Sequence, residues 1–360
     1  MKRVLAKNTL TCLLLSLAWT TQAQDVHYAQ FYENAALRNP ALTGIYSGDY
    51  KVGVNYRSQW ASLSVPFQTM MLAAEGRSRI SSETNDYLSY GLTINYDKAA
   101  SIAFNTLQIM PTINYNKNLR DDNHSYLSAG FGGAFIQRSF DPSKVTTNNQ
   151  YVNGNFDPAI TTGENFTNNR LTQLDLNLGL SFNSSMAQGR VNYYLGAAAY
   201  HVLRPKESFM DESQSYSRLT GKYTGQFGLS VLVNDKLSVA THFNYLNQHP
   251  HQEWIGGGMV TYYRKDAVDA RKNIALSAGI YYRLNDAIIP TVKVDYQQMA
   301  LTVSYDMATS VLKHAGANAV EMSLYLRGLF PKRRDAMDQM ACPRFEMGGA
   351  SPYELFREYN

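Results

Sequence analysis

Strict two-residue alternation, sustained over runs of nine to thirteen residues, constrains this chain more than any other feature. Between Asp49 and Trp60, Tyr50, Val52, Val54 and Tyr56 occupy one phase and Lys51, Gly53, Asn55, Arg57 and Gln59 the other. The pattern returns with Leu88, Tyr90, Leu92, Ile94 and Tyr96 against Ser89, Gly91, Thr93, Asn95 and Asp97, again from Leu174 to Asn183, and again from Tyr223 to Val233. A period of two marks a strand with two unlike faces. Strands of soluble domains usually span about 5 or 6 residues, whereas a tilted strand crossing a bilayer needs about 9 to 11. The alternation therefore predicts strands long enough to cross a membrane, with one face for lipid and one for a polar interior.

The same template places about fourteen strands, near residues 49–60, 67–79, 87–97, 103–117, 125–138, 171–183, 190–202, 222–233, 236–247, 252–263, 273–283, 286–296, 299–308 and 319–330. The expected fold is all-β: a single antiparallel transmembrane β-barrel over residues 49–330, closed because an open sheet edge leaves backbone groups unbonded in lipid. With both ends of the sheet in the periplasm, the odd-numbered connections face outside and should be the longer ones. The fifth, Ser139 to Arg170, and the seventh, Leu203 to Gly221, are long, while Asn234-Asp235 and Gln297-Gln298 are short turns; the eleventh, around Asn285, is tight and breaks the parity. The competing architecture is a large soluble β-sandwich or propeller. A propeller would repeat with a period of about 40 to 50 residues, and no such repeat is present. Inward glycines such as Gly130 and Gly132 are expected where strands bend around the closed wall.

Composition agrees with a membrane barrel. Hydrophobic residues make up 44% and charged residues 17%, with 26 Tyr and 15 Phe, too aromatic for a disordered chain. Beyond the first 23 positions nothing approaches the run of about 18 to 20 apolar residues that a spanning helix requires. Those first 23 read as a secretory signal peptide rather than a membrane anchor: Lys2, Arg3 and Lys7 precede an apolar stretch from Leu10 to Trp19, and Thr21 and Ala23 are small residues at the cleavage positions. Cys12 lies inside the apolar stretch without small residues just before it, which argues against a lipoprotein signal. Without this segment the chain carries 30 Lys and Arg against 29 Asp and Glu, so no nucleic-acid partner is expected. Cys342 is then the single cysteine, which leaves no internal disulfide and no cysteine-based metal cluster.

No constellation of residues points to an enzyme, a cofactor or a metal. HExxH, GxSxG and the phosphate-cradling GxxxxGK followed by Ser or Thr are all missing. His249-Pro250-His251 beside Glu253 reads as a solvated loop more readily than as a metal site, and Gly256-Gly257-Gly258 as a bend within a strand. Asp306 and Glu321 stand out: each falls at the inward phase of its strand, flanked by outward Tyr305 and Met307 or Val320 and Met322, and the two strands are neighbours. They are expected to pair with an inward Arg or Lys, the alternative being contact with another subunit. His201, at a strand end, is expected to be a packed neutral ring. The segment from Gln24 to Gly48 is rich in aromatics without alternation and is expected to fold back into the periplasmic mouth as a short plug, in preference to a disordered leader.

Three stretches carry a family resemblance. Gln24-Asp25-Val26-His27-Tyr28-Ala29-Gln30-Phe31-Tyr32, leading to Asn39-Pro40-Ala41-Leu42-Thr43-Gly44, resembles the "QDPxFSQY…NPAxxG" opening of the PorP/SprF family of the Bacteroidetes type IX secretion system. Tyr200-His201-Val202-Leu203-Arg204-Pro205-Lys206-Glu207-Ser208-Phe209 is similar to that family's "HLxxPxxSF". Val303-Ser304-Tyr305-Asp306-Met307 with Ser310 and Leu312, then Gly316, Asn318, Glu321, Met322, Ser323 and Leu324, resembles its "YSYDxxxSxL…GxHExSL", and Gly279 to Ala287 matches the preceding strand pair.

The resemblance implies a protein of the cell outer membrane, surrounded by its lipid and without catalytic activity, that serves type IX secretion and gliding motility or helps an exported adhesin reach and stay on the cell surface. Its implied partners include periplasmic lipoproteins of that machinery. The residues it marks are Asn39, Pro40, Ala41, Gly44, His201, Pro205, Ser208, Phe209, Tyr305, Asp306, Ser310 and Glu321. Alternation alone also fits an outer-membrane diffusion channel for hydrophobic or small polar solutes, similar to fatty-acid transporters. Partner contacts are expected on the two long loops and at the periplasmic termini, including the tail from Pro331 to Asn360 with Lys332, Arg333 and Arg334 at its start.

Overall fold

The computed structural model describes residues 25–328 other than 47, 61–65, 81–82, 100–102, 120–123, 153–154, 164–167, 210–216, 265–273 and 311–317. The expected signal peptide and the tail from Pro331, with Cys342, lie outside the described residues. Fourteen strands form the wall: β1 Tyr50–Gln59, β2 Phe67–Arg79, β3 Tyr87–Ala99, β4 Phe104–Asn118, β5 Tyr126–Ser139, β6 Arg170–Met186, β7 Val191–Tyr200, β8 Lys222–Asn234, β9 Leu237–Gln248, β10 His251–Arg264, β11 Ile274–Arg283, β12 Ala287–Tyr296, β13 Met299–Ala308 and β14 Ala319–Gly328. Each pairs with its neighbours in sequence, and β1 closes the ring on β14 in an unbroken antiparallel register from Tyr50 opposite Gly328 to Gln59 opposite Ala319. The closed fourteen-stranded antiparallel barrel that alternation predicts is the fold. No described helix is long and apolar enough to cross a membrane; strands do the crossing.

The wall is inverted relative to a soluble β-protein. On β1, Lys51, Asn55 and Arg57 are buried, while Val52, Val54 and Tyr56 are 39%, 47% and 41% exposed. An apolar outer face suits hydrocarbon, and the polar side chains turned inward must find hydrogen-bond partners inside. Much of that demand is met by the chain ahead of β1.

This leading segment contains a 3-10 turn at Phe31–Glu33, one α-helical turn at Ala35–Arg38 and a second 3-10 turn at Pro40–Leu42. The sequence suggests that it stays at the mouth where β1 starts; its path is longer. Asp25 bonds to His201 and Lys222, which flank the long seventh connection, and to Gln248 at the same end of the barrel. Tyr46 reaches the Asp49 carbonyl, and Asp49 bonds to Gly328, at the opposite end. A ten-residue strand rises about 33 Å, so a fully extended segment of this length would overshoot the wall; the three helical turns shorten it to fit.

Candidate functional site

The Asn39-Pro40-Ala41 turn lies against a bed of glycines. Asn39 caps the turn, its side-chain oxygen accepting from the Ala41 N–H at 2.8 Å. Its amide nitrogen donates outward to the wall carbonyls of Leu180 (2.9 Å) and Ala197 (3.2 Å) and to Gln226 Oε1 (3.1 Å). So close an approach requires a wall without side chains. A Cβ on Gly130 of β5 would lie 2.2 Å from the Ala41 nitrogen, one on Gly179 of β6 would lie 1.9 Å from Asn39 Oδ1, and one on Gly196 of β7 would lie 2.7 Å from Asn39 Nδ2. Gly130 thus makes room for the turn, a reason beyond the strand curvature expected of it. Asn114 donates to the carbonyls of both Ala41 and Thr43 at 2.9 Å, and Ser181 to that of Ala41. Gly44 follows with φ +82°, a left-handed conformation suited to glycine, and donates to Glu75 Oε2 at 2.8 Å.

Toward the long-loop end, register sets Arg57 of β1 and Ser304 of β13 on either side of Glu321 of β14. Arg57 donates to Glu321 Oε2 (3.1 Å) and to Asp306 Oδ2 (2.7 Å), with all three side chains almost wholly buried. Glu321 also accepts from Asn55 Nδ2 (2.8 Å) and from the backbone N–H groups of Ala29 (2.6 Å) and Gln30 (3.0 Å). One carboxylate therefore joins β1 and β14 across the closing seam and fixes the leading segment to both. Arg283 extends the network to Asp306, Asp286 and Glu253, and Glu253 holds His27 at 3.0 Å. Breaking a buried ion pair by removing one partner costs about 3–5 kcal/mol. Glu321→Ala is expected to lose stability on that scale, read as a fall in the temperature at which the folded gel band disappears; Glu321→Gln, which keeps hydrogen-bonding capacity, should lose less.

Deeper in the lumen Glu33 takes Lys293 at 2.5 Å and Lys51 at 3.5 Å, and Arg327 pairs with Asp295 at 2.9 Å. Tyr325 donates to Asn34 at 2.8 Å. At the long-loop end His201 differs from the neutral ring expected of it. Its Nδ1 lies 2.6 Å from Asp175 and its Nε2 2.9 Å from Asp25, so both ring nitrogens face carboxylates and both must carry protons. Lys222 reaches the same Asp25 oxygen at 2.5 Å, which balances two cations against two anions.

The charges hold each other in place. Burial alone would raise the Asp25 carboxyl, but the Lys222 ammonium and the His201 ring keep it well below its ordinary 3.8. Burial opposes a charged His201, yet Asp25, together with the hydrogen bonds to Asp175 and Asp25, raises it above 6.5. A raised imidazole contributes its full stabilisation below 6.5 and loses it as pH climbs through the raised value; a depressed carboxyl contributes fully above 3.8 and loses it as pH falls through the lowered value. The start of the segment is therefore held most firmly between these limits and loosens on the alkaline side as His201 deprotonates. A spin label on Val26→Cys in a Cys342→Ser background is expected to gain mobility as pH climbs past 6.5 and through the raised His201 value, and His201→Gln should abolish that transition.

The other family-marked positions fall elsewhere. Pro205 accepts from the Leu219 N–H within the seventh connection, Ser208 is half-buried there, and Phe209 packs edge-on against Phe140 and Phe104. Glu207 pairs with Arg138 of β5, tying that connection to the wall. The Ser310 N–H donates to Asp286 O, and Tyr305 is 41% exposed on the lipid face. Glu253 is engaged by His27 and Arg283, and no group of three or more potential metal ligands occurs among the described residues. A vestibule of about 660 Å³ opens above the segment at the long-loop end, with Asp25, His27, Trp60, Asp97, His251 and Glu253 in its lining. Sequence reasoning missed the partners of the inward charges, above all Glu33 with Lys293 and Asp25 with Lys222. The usable signal was the inward phase of Lys51, Arg57 and Asp175, already visible in the alternation.

No curated protein matches the sequence. Among solved structures the chain is similar to the toluene transporter TbuX of Ralstonia pickettii, with 11% identity over 86% of this chain and 96% of that one and a TM-score of 0.47. It is also similar to a FadL homologue of Pseudomonas aeruginosa (9%, 80% and 92%, TM-score 0.47) and to the toluene transporter TodX of Pseudomonas putida (12%, 81% and 91%, TM-score 0.44). The family model for the type IX secretion system membrane protein PorP/SprF matches residues 20–326, which takes in the leading segment and the whole wall up to β14. With the closed antiparallel wall around that matched span, the chain belongs to the PorP/SprF family of type IX secretion system membrane proteins and is an outer-membrane β-barrel.

Proposed function

We propose that this barrel is a non-enzymatic component of the type IX secretion and gliding machinery that supports the export or surface anchoring of secreted proteins such as adhesins, and that residues 24–48 act as a plug. The observation carrying this reading over a solute channel is the continuous set of bonds between the leading segment and the inward face, from Asp25 at one mouth to Tyr46 at the other. A diffusion path needs a continuous lumen, whereas a docking platform needs only a rigid wall and exposed loops. The partner-facing surfaces are the connections 139–170 and 203–221 outside and the tail from Pro331 on the periplasmic side, where lipoproteins of the machinery would bind. Asp25 lies at the end opposite to the start of β1, so the start of the segment belongs to the outer mouth rather than to the periplasmic one. Deleting the gene is expected to reduce surface display of type IX substrates, scored by imaging labelled adhesin on intact cells, without changing solute uptake. Intact display with lost uptake would establish the channel instead.

A further inference from the structure

The α-helical turn closes on a buried guanidinium, that of Arg38, which no carboxylate among the described residues balances. Lys51 and Lys293 both reach the carboxylate of Glu33. Arg38, closing that turn and only 8% exposed, has no carboxylate within ion-pair distance among the described residues. Its terminal nitrogens donate to Tyr194 Oη (2.7 Å) and the Tyr32 carbonyl (3.0 Å), and the guanidinium lies 5.9 and 5.8 Å from the ring centres of Phe31 and Tyr194. Its Nε and the Tyr32 hydroxyl are both buried without a hydrogen-bond partner. Beside them is a small cavity of about 20 Å³ whose lining includes Tyr32, Arg38, Leu42, Lys51, Tyr194 and His242. His242 stacks on Tyr32 and shares the Tyr194 hydroxyl, so it brings no negative charge.

Such a void holds about one water-sized occupant, since roughly 10–15 Å³ of this kind of volume suffices for a water. A water would satisfy the donors and leave the charge uncompensated, and a buried charge without a partner is strongly unfavourable. We propose that this cavity binds a monovalent, halide-sized anion, with Arg38 and Lys51 as its cationic walls and Tyr32 as a neutral donor. The anion is then the counter-ion of the leading segment and part of what keeps Arg38 inside the barrel.

The sign of the salt effect tests this. Screening by salt weakens ion pairs whatever the anion, whereas a bound halide stabilises in proportion to its occupancy. At equal ionic strength the purified full-length barrel is expected to unfold about 2–4 °C higher in sodium chloride than in sodium gluconate, whose anion is too large for the cavity. Crystals grown in sodium bromide should show an anomalous peak touching Arg38 Nε, and Arg38→Met should remove both the peak and the chloride–gluconate difference. The first two measurements use the unaltered protein, so a misfolded variant does not blunt them. Equal unfolding temperatures in the two salts, or density at the cavity without anomalous signal, would overturn the proposal.

Discussion

The parent barrel is expected to block ion flow across planar bilayers, and deleting residues 27–44 to let it conduct steadily. An eight-stranded barrel is just filled by its own side chains, while barrels of 16–18 strands leave an aqueous channel. Fourteen strands lie between these, so the wall cannot fill its interior alone. Here the leading segment takes up the difference: Ala29, Gln30, Asn39 and Ala41 have essentially no solvent exposure. The deletion removes this filling but leaves the β1–β14 register, which extends over all ten residues of β1, so the folded band of heat-modifiable mobility should persist. A deletion variant that inserts, folds and still blocks current would show that side chains and loops seal the lumen without the segment.

Enlarging the glycine bed should have a comparable effect through a single side chain. Gly179→Leu places carbon where Asn39 Oδ1 now sits, and Gly130→Leu presses on the Ala41 backbone, which cannot rotate away. Overpacking of this kind costs about 1–3 kcal/mol. That strain falls on the segment, because the strands are held by ladders on both sides. A cysteine at Ala41, fully buried in the parent, is expected to react with a small membrane-impermeant thiol reagent about tenfold faster or more in the Gly179→Leu background. Unchanged protection would mean that the wall yields and the turn does not. The control is Gly225→Leu on β8, where nothing lies within 4 Å of the added carbon.

The wall was readable because its rule is local. Alternation at Tyr50, Val52 and Val54 or at Leu174, Leu176 and Leu178 states which side chains face lipid, whatever the partner strand. Strand ends were less legible: β6 runs from Arg170 to Met186, beyond the 171–183 that alternation supports, since pairing with β7 continues to Met186 after the alternation has ended. The inward phase of Asp306 and Glu321 was equally plain, but their joint partner Arg57 is separated by 249 and 264 positions. The charge of His201 depends on Asp25 and Asp175, neither adjacent in sequence. Alternation assigns a side chain to a face and says nothing about which other inward group stands at the same height. The course of the leading segment was hidden for the same reason: its short turns have no period, and only the bonds it makes show where it goes.

The segment occupies a ring that has no gap, and this dictates an order of events during biogenesis. A chain that passes from one mouth to the other cannot be drawn in after closure without threading a terminus through the pore, a route that folding pathways avoid. The wall is therefore expected to be wrapped around residues 25–46, with the segment that precedes β1 acting as the mandrel. The last strand in the sequence, β14, meets that mandrel directly through Glu321 on Ala29 and Gln30, Ser323 on Gln30 and Tyr325 on Asn34. Closing the seam and capturing the segment are thus a single step, and a barrel that closed empty would leave the Glu321 carboxylate without its two backbone donors.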